Sequence, residues 1–207
     1  MAAVGEDQHY TGMVGLQKVK QWLDLTTRVD GVVTAQDRPW GELLKFEWPH
    51  AKAPQAKRFS FDLAGKFRGD DIDNQSFLAE VKAYKRQSDL AAHYVDFLAK
   101  CYVALKGAPD RCDNFLWISY SPFEATVWDK HATYDKVHRS VLHNRERVLG
   151  EASEDKAKPL IDAKTVNEVA SRVWLITLSV RQEKLVLQHR HWVQVVTKIK
   201  EESVASP

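Results

Sequence analysis

Three stretches of the chain alternate apolar and polar residues with a period of two, which is the pattern of a half-buried β-strand. They run from about Trp40 to Trp48, from Lys57 to Phe67 and from Ser76 to Tyr84. The polar segment between the last two, Arg68 to Gln75, contains the glycine and asparagine typical of a turn. We therefore expect the second and third strands to pair antiparallel as a β-hairpin.

The remaining segments repeat apolar residues at helical spacing or form short apolar runs. We expect the stretch from Gly150 to Pro159 to be a solvated loop and the last residues, 203–207, to be a frayed tail. The pattern predicts helices over about 11–28, 88–105, 131–149 and 165–170 and from His189 onward, and strands over 114–120 and 172–180. This order predicts an α/β fold with a mixed central β-sheet flanked by helices.

The composition is that of a globular protein. Of 207 residues, 44% are apolar and 28% are charged, which excludes disorder as the main state. We expect a single domain, with a core over about 11–121 and a C-terminal elaboration of helices and a strand over about 122–202. The net charge of +2 is too small to indicate nucleic-acid binding by itself.

Targeting signals and cysteine usage bear on where the protein resides. No apolar run approaches the roughly 18 to 20 residues of a membrane span, so we expect no membrane partner. The N-terminus, MAAVGEDQHYTG, lacks the basic and apolar regions of a secretory signal. The two cysteines, Cys101 and Cys112, form no disulfide framework and suit a reducing compartment. We therefore expect a cytoplasmic location.

One strand carries an acid and a base on an otherwise apolar background. Glu80 and Lys82 are two residues apart in the third predicted strand, so they project from the same face. Asp62, in the neighbouring strand, can reach that side if the two strands form a hairpin. Two converging carboxylates form a hard oxygen site suited to Mg²⁺ or Mn²⁺. A lysine beside it can orient an attacking water or stabilise the charge that develops on a phosphate.

These residues carry a resemblance. FDLAG at Phe61–Gly65, followed by the E-V-K triplet at Glu80–Lys82, resembles the D…(D/E)-x-K signature of the PD-(D/E)-x-K nuclease superfamily, which includes restriction endonucleases and RecB-type nucleases. The resemblance implies a restriction-endonuclease-like αβββαβ core, a Mg²⁺-dependent deoxyribonuclease and catalytic roles for Asp62, Glu80 and Lys82, with the two acids as metal ligands. The proline that usually precedes the aspartate is replaced by Phe61. Some members add a further acid, for which Glu42 is the first candidate and Glu47 the second.

The triplet alone has little specificity, because an acid-x-Lys pattern also occurs at Glu154–Lys156 and at Asp162–Lys164. Only the triplet at Glu80 lies in an apolar strand, after a strand with an aspartate and before an amphipathic helix. The alternative interpretation is a surface ion pair between Glu80 and Lys82, worth a few tenths of a kcal/mol.

Basic residues flank both motif strands. Lys85 and Arg86 follow the E-V-K triplet, and Lys66 and Arg68 follow the aspartate. They are candidates for binding the phosphates of DNA, although a solvated strand end explains them equally well.

Three hypotheses of function follow. The first is an enzyme that hydrolyses DNA phosphodiesters, in restriction, phage defence or recombination and repair. The second is a non-catalytic member of the same fold, which acts as a DNA-binding or assembly subunit. The third is an unrelated α/β interaction protein, whose seven tryptophans supply an interface. A homodimer, in which two sites would cut two strands, or a partner protein stays open.

Overall fold

A computed structural model describes residues 3–52, 57–83, 89–179 and 189–205. Seven β-strands lie within these ranges: β1 Val29–Thr34, β2 Lys45–Glu47, β3 Arg58–Ser60, β4 Leu63–Phe67, β5 Ser76–Lys82, β6 Asn114–Ser119 and β7 Val173–Thr177. Five form a mixed sheet in the order β1-β4-β5-β6-β7, and β2 and β3 form a separate two-stranded sheet. In the main sheet β4 runs antiparallel to both of its neighbours, β1 and β5, whereas β5, β6 and β7 are parallel.

The α-helices are α1 Ala3–Asp24, α2 Leu90–Gly107, α3 Tyr134–His143, α4 Arg145–Leu149, α5 Glu154–Ala157, α6 Ala163–Arg172 and α7 His189–Ala205. The predicted α/β class with a mixed sheet flanked by helices is therefore confirmed. Among the elements of the main sheet, the chain order is a helix, three antiparallel strands, a second helix and a parallel strand.

The main sheet buries both faces because its central strands are apolar on both sides. On one face Val19 and Leu23 of α1 pack against Phe77, Ala79 and other sheet residues. On the opposite face α2, α3 and α6 pack against a larger aromatic core. Alternation along β5 therefore sends its odd-numbered residues toward α1 and its even-numbered residues toward α2.

The predicted hairpin is confirmed, but its first strand is broken. β4 and β5 pair antiparallel, with Leu63 opposite Ala79 and Lys66 opposite Ser76. The predicted strand over 57–67 divides into β3 and β4, because the backbone N–H of Phe61 donates to O of Leu44, just before β2, and that of Asp62 donates to Ala79 O in β5. Phe61 and Leu63 consequently pack on opposite faces of the main sheet, which corrects the prediction that they share one face.

The prediction of the first core strand was wrong. β1 occupies that position, whereas the stretch predicted as a strand over 40–48 forms a 3-10 turn, Trp40–Leu44, and the short strand β2 of the small sheet. Gly31 has a φ of +64°, and the register shifts between Asp30 and Val33. This irregularity interrupts the apolar alternation of β1. It explains why the sequence around Gly31 resembles the end of the preceding helix rather than a strand.

The C-terminal third follows the prediction with two corrections. The helix predicted over 131–149 is divided at Asn144 into α3 and α4. The segment Gly150–Pro159, predicted as a loop, contains α5 and the start of a 3-10 turn, and α7 continues to Ala205 in the predicted tail. Strand β7 and helix α6 lie where they were predicted.

Within the ranges that the structure describes, no helix combines the length and hydrophobicity needed to cross a membrane.

Candidate active site

Glu80 lies near the end of β5, on the face that packs against α2. Its side chain follows Leu78 on the same face and is only 6% exposed. A buried carboxylate is costly unless charged or polar partners compensate for the lost hydration. The structure supplies such partners from two different elements.

Two lysine ammonium groups hold the Glu80 carboxylate. Lys82, two residues further along β5, donates from Nζ to Oε1 at 2.8 Å. Lys100, from the middle of α2, lies 3.1 Å from Oε1 and 3.0 Å from Oε2. Both lysines are largely shielded from solvent, so these ion pairs lie in a less polar environment than surface pairs do.

Asp62 lies at the break between β3 and β4. Its backbone N–H donates to Ala79 O at 2.8 Å, and its side-chain Oδ2 accepts the backbone N–H of Val81 at 2.7 Å. The carboxylate thus takes the position of a backbone carbonyl in the β4–β5 ladder and is fixed one residue from Glu80. Because the carboxylate accepts the Val81 N–H, the chain can pass from β3 to β4 here without leaving that N–H without a hydrogen bond.

The two carboxylates have opposite pKa shifts. Burial, reinforced by the negative charge of Glu80, raises the pKa of Asp62 to about 6. Burial would also raise the pKa of Glu80, but the ammonium groups of Lys100 and Lys82 outweigh it and lower that pKa below its usual value. Acid pairs whose environments separate their pKa values are typical of functional sites, although ion-pair networks with a structural role show them too.

The structure therefore brings together Asp62, Glu80 and Lys82, as the sequence predicts, and adds Lys100. Sequence reasoning missed Lys100 because a lysine within an amphipathic helix normally belongs to its solvated face. The available signal was its position between the apolar residues Phe97 and Cys101, both of which are fully buried. His93, two turns earlier on α2, is near enough to Lys82 for that charge to add to the effect of burial in lowering its pKa.

The two candidates for a further acidic ligand lie elsewhere. Glu42 is on the exposed 3-10 turn, where its carboxylate binds Lys45 at 2.6 Å. Glu47, in β2, binds Lys57 at 3.0 Å and Arg58 at 3.5 Å. In both cases the hydrogen bond from a lysine is the first cause of a lowered pKa, and neither pKa depends on Asp62 or Glu80. The structure thus gives neither acid a contact with the Asp62–Glu80 pair.

The candidate phosphate-binding residues have different positions. Lys66 is exposed on β4, opposite Asp30 of β1. Arg68 follows the far end of β4 and forms an ion pair with Asp30, so it lies away from Asp62. Lys85 and Arg86 fall outside the residues that the structure describes.

The two carboxylates have the oxygen chemistry that a magnesium ion takes, while both Glu80 oxygens also accept hydrogen bonds from lysines. Mg²⁺ is commonly bound by one or two carboxylates, with water and substrate phosphate completing its coordination. Asp62 and Glu80 supply two such carboxylates, and Asp62 has one oxygen, Oδ1, that does not take part in the hydrogen bond to Val81. Across the described parts of the chain, no group of three or more histidine, cysteine and acidic side chains forms a metal cage.

Comparisons with known proteins do not add to this geometry. No protein-family model, curated protein or solved structure matches the chain.

Proposed function

We propose that the protein is a Mg²⁺-dependent deoxyribonuclease with a restriction-endonuclease-like core, in which Asp62, Glu80 and Lys82 form the active site. The observation that carries the proposal is the convergence of two carboxylates and a lysine at the end of β5. The order of the elements in that sheet, with Asp62 just before β4 and Glu80 and Lys82 in β5, supports it further.

The acidic residues and the lysine would have different roles. Asp62 and Glu80 would hold the cation, which when bound polarises the phosphate and lowers the pKa of a water molecule. Lys82 would donate a hydrogen bond to that water or to a phosphate oxygen as negative charge develops there. The hydrogen bond from the Val81 N–H already holds the Asp62 carboxylate in place, so little conformational entropy would be lost at this side chain during the reaction.

A second candidate function is a non-catalytic subunit with the same fold. One specific observation favours it: both oxygens of Glu80 already accept hydrogen bonds from lysines, so the carboxylate is balanced without a metal. In that case the cluster would fasten α2 to β5 and have no role in chemistry.

Plasmid nicking together with calorimetric Mn²⁺ titration separates the two. We expect cleavage with Mg²⁺ or Mn²⁺ and none with Ca²⁺ or excess EDTA. Glu80→Gln and Asp62→Asn should abolish both cleavage and Mn²⁺ binding. Lys82→Ala should bind Mn²⁺ at least as well as wild type but cleave about 10²-fold more slowly or worse.

Lys156→Ala is the matched control, because Lys156 ends the same acid-x-Lys triplet on the exposed helix α5. It should leave both measurements unchanged. Cleavage that persists in excess EDTA, or a folded Lys82→Ala variant that cleaves at the wild-type rate, would contradict the proposed active site.

A further inference from the structure

A groove of about 440 Å³ opens on the sheet face that carries Glu80. Its floor includes Ala64 of β4 and Leu78 of β5, which pair directly across the two strands. Glu80 lies two residues after Leu78 in β5, and Asp62 comes just before β4. Since side chains two apart in a strand share a face and lie about 7 Å apart, Glu80 is the next side chain along β5 on the face of the groove floor.

One wall of the groove is an exposed apolar pair. Trp40 is 59% exposed and Leu43 is 41% exposed, and both line the groove from the 3-10 turn Trp40–Leu44. Large apolar side chains that stay exposed beside a cavity commonly mark a binding surface.

The turn that carries this wall is rigidly held. The backbone N–H of Gly41 donates to Asp37 O at 2.6 Å, and Leu44 O accepts the N–H of Phe61 at 3.0 Å. A Cβ at Gly41 would lie only 2.5 Å from Ala35 O, so glycine allows the turn to pack directly against the backbone after β1. The indole of Trp40 therefore projects from a turn whose backbone is fixed at Gly41 and, at its other end, at Leu44.

The rim of the groove is basic at two points. Lys66 lines it from β4, and Arg111 lines it from the 3-10 turn Pro109–Arg111. Within the ranges resolved by the structure, neither side chain forms an ion pair with a carboxylate. Arg111 donates instead to Leu43 O at 3.2 Å and lies over the ring of Phe46. Of the two acids at the rim, Asp30 is already neutralised by Arg68, which leaves only Asp110 to oppose the two cations.

We propose that this groove binds an unpaired nucleotide of a DNA strand, with its base stacked on Trp40 and its neighbouring phosphates bound by Lys66 and Arg111. The inference rests on the proposed function, since the groove floor and Glu80 belong to the same strand, β5. An exposed tryptophan beside phosphate-binding cations is the combination by which proteins hold single strands without reading their sequence. A hydrophobic peptide would pair with neither cation, whereas the phosphates of a strand would pair with both.

Binding is measured by fluorescence anisotropy with a labelled twelve-residue oligothymidylate, in EDTA so that no cleavage occurs. The comparison probes are a blunt duplex of equal length and an oligomer with abasic sites in place of the thymines. We expect the oligothymidylate to bind more tightly than either probe. Trp40→Ala should weaken its binding by about 5-fold to 100-fold, the effect of losing one stacked base, whereas Trp40→Phe should keep most of the affinity.

The control for tryptophan removal is Trp174→Phe, because Trp174 of β7 is 39% exposed on the other face of the sheet, where it packs on Phe67 and donates to Asn114. It should bind as wild type does. Lys66→Ala should reduce the slope of log affinity against log salt by about 0.7. Equal binding of the oligothymidylate by wild type and Trp40→Ala would overturn the proposal, and so would equal binding of the normal and abasic strands.

The same variants keep this inference separate from the proposed activity. Trp40-dependent binding by a protein that shows no metal-dependent nicking would support the groove and refute the nuclease. Nicking that depends on Glu80 in a protein whose strand binding ignores Trp40 would support the nuclease and refute the groove.

Discussion

Lys100 of α2 donates hydrogen bonds to both carboxylate oxygens of Glu80 in β5, with Nζ 3.1 Å from Oε1 and 3.0 Å from Oε2. The contact joins a helix and a strand that otherwise meet through apolar side chains. Because Glu80 is almost fully buried, its charge depends on these ammonium groups for compensation.

Removing Lys100 should therefore destabilise the protein measurably. In Lys100→Met, Glu80 keeps Lys82 as its one cationic partner among the described residues, and we expect the free energy of unfolding to fall by about 2 kcal/mol or more at pH 7. Urea denaturation measures this change. Lys106→Met is the control, since Lys106 lies on the same helix in an exposed position. If the two variants lose equal stability, the Lys100–Glu80 contact has no special energetic role.

Asp62 gives the metal-free protein a distinct pH dependence. Its pKa is about 6 in the folded state against an ordinary value of 3.8, so between these values the folded state binds the proton more tightly. The Asp62 contribution to stability is complete below pH 3.8 and is lost as pH rises through 6. Asp62→Asn does not titrate and should exceed wild type at pH 7.5 by up to about 3 kcal/mol, a difference that disappears toward pH 4.

The measurement is chemical denaturation of both proteins in EDTA from pH 4 to pH 8. A constant difference across this range would mean that burial and the charge of Glu80 do not raise the pKa of Asp62. The pKa of Asp62 would then no longer support a functional acid pair.

Local alternation was sufficient to predict the hairpin and, with it, the meeting of Asp62, Glu80 and Lys82, because a two-residue period fixes which side chains share a face. The break at Asp62 was not predictable. It depends on backbone hydrogen bonds to Leu44 and Ala79, which are distant in sequence. Lys100 was missed for the same reason, since only the packing of α2 onto β5 turns its side chain into a partner of Glu80.

The edge strand β1 shows a different limit. Its bulge around Gly31 disrupts the apolar period, whereas the stretch from Trp40 to Trp48 has a clear alternation and yet mostly lies outside the main sheet. Periodicity reports which residues are buried on one side, but it does not report which sheet they join.

The packing of α1 onto the main sheet depends on Gly15. A Cβ at this position would lie 2.0 Å from Cβ of Ala83, just after β5, so Gly15→Ala requires α1 to move. We expect a loss of about 1–3 kcal/mol in the free energy of unfolding. Gly12→Ala is the matched control, one turn earlier on α1, where a Cβ meets nothing within 4 Å. It should stabilise the helix by about 0.5–1 kcal/mol, and a loss of stability in both variants would contradict this account of the contact.

His131 provides the last prediction. Its ring is 1% exposed among Tyr94, Phe123 and Trp128. Its Nδ1 lies 3.8 Å from Oε2 of Glu124, and neither ring nitrogen makes a hydrogen bond to any part of the chain that the structure describes. Burial, aided by the charge of Lys136, lowers the pKa of His131 below its usual value and outweighs the opposite effect of Phe123 and Glu124.

A lowered histidine pKa means that the unfolded chain takes up the proton first as the pH falls. The His131 contribution to stability is therefore present above pH 6.5 and declines below it, down to the folded-state pKa. His131→Phe keeps an aromatic ring, removes the two unpaired nitrogens and leaves the backbone acceptor of the Tyr94 hydroxyl in place. We expect it to be more stable than wild type by about 1–3 kcal/mol at pH 7, and by more at pH 5.5, in urea denaturation. His143→Phe, on an exposed position at the end of α3, should show no such gain. A destabilised His131→Phe would instead show that the neighbouring Glu124 carboxylate pairs with the ring.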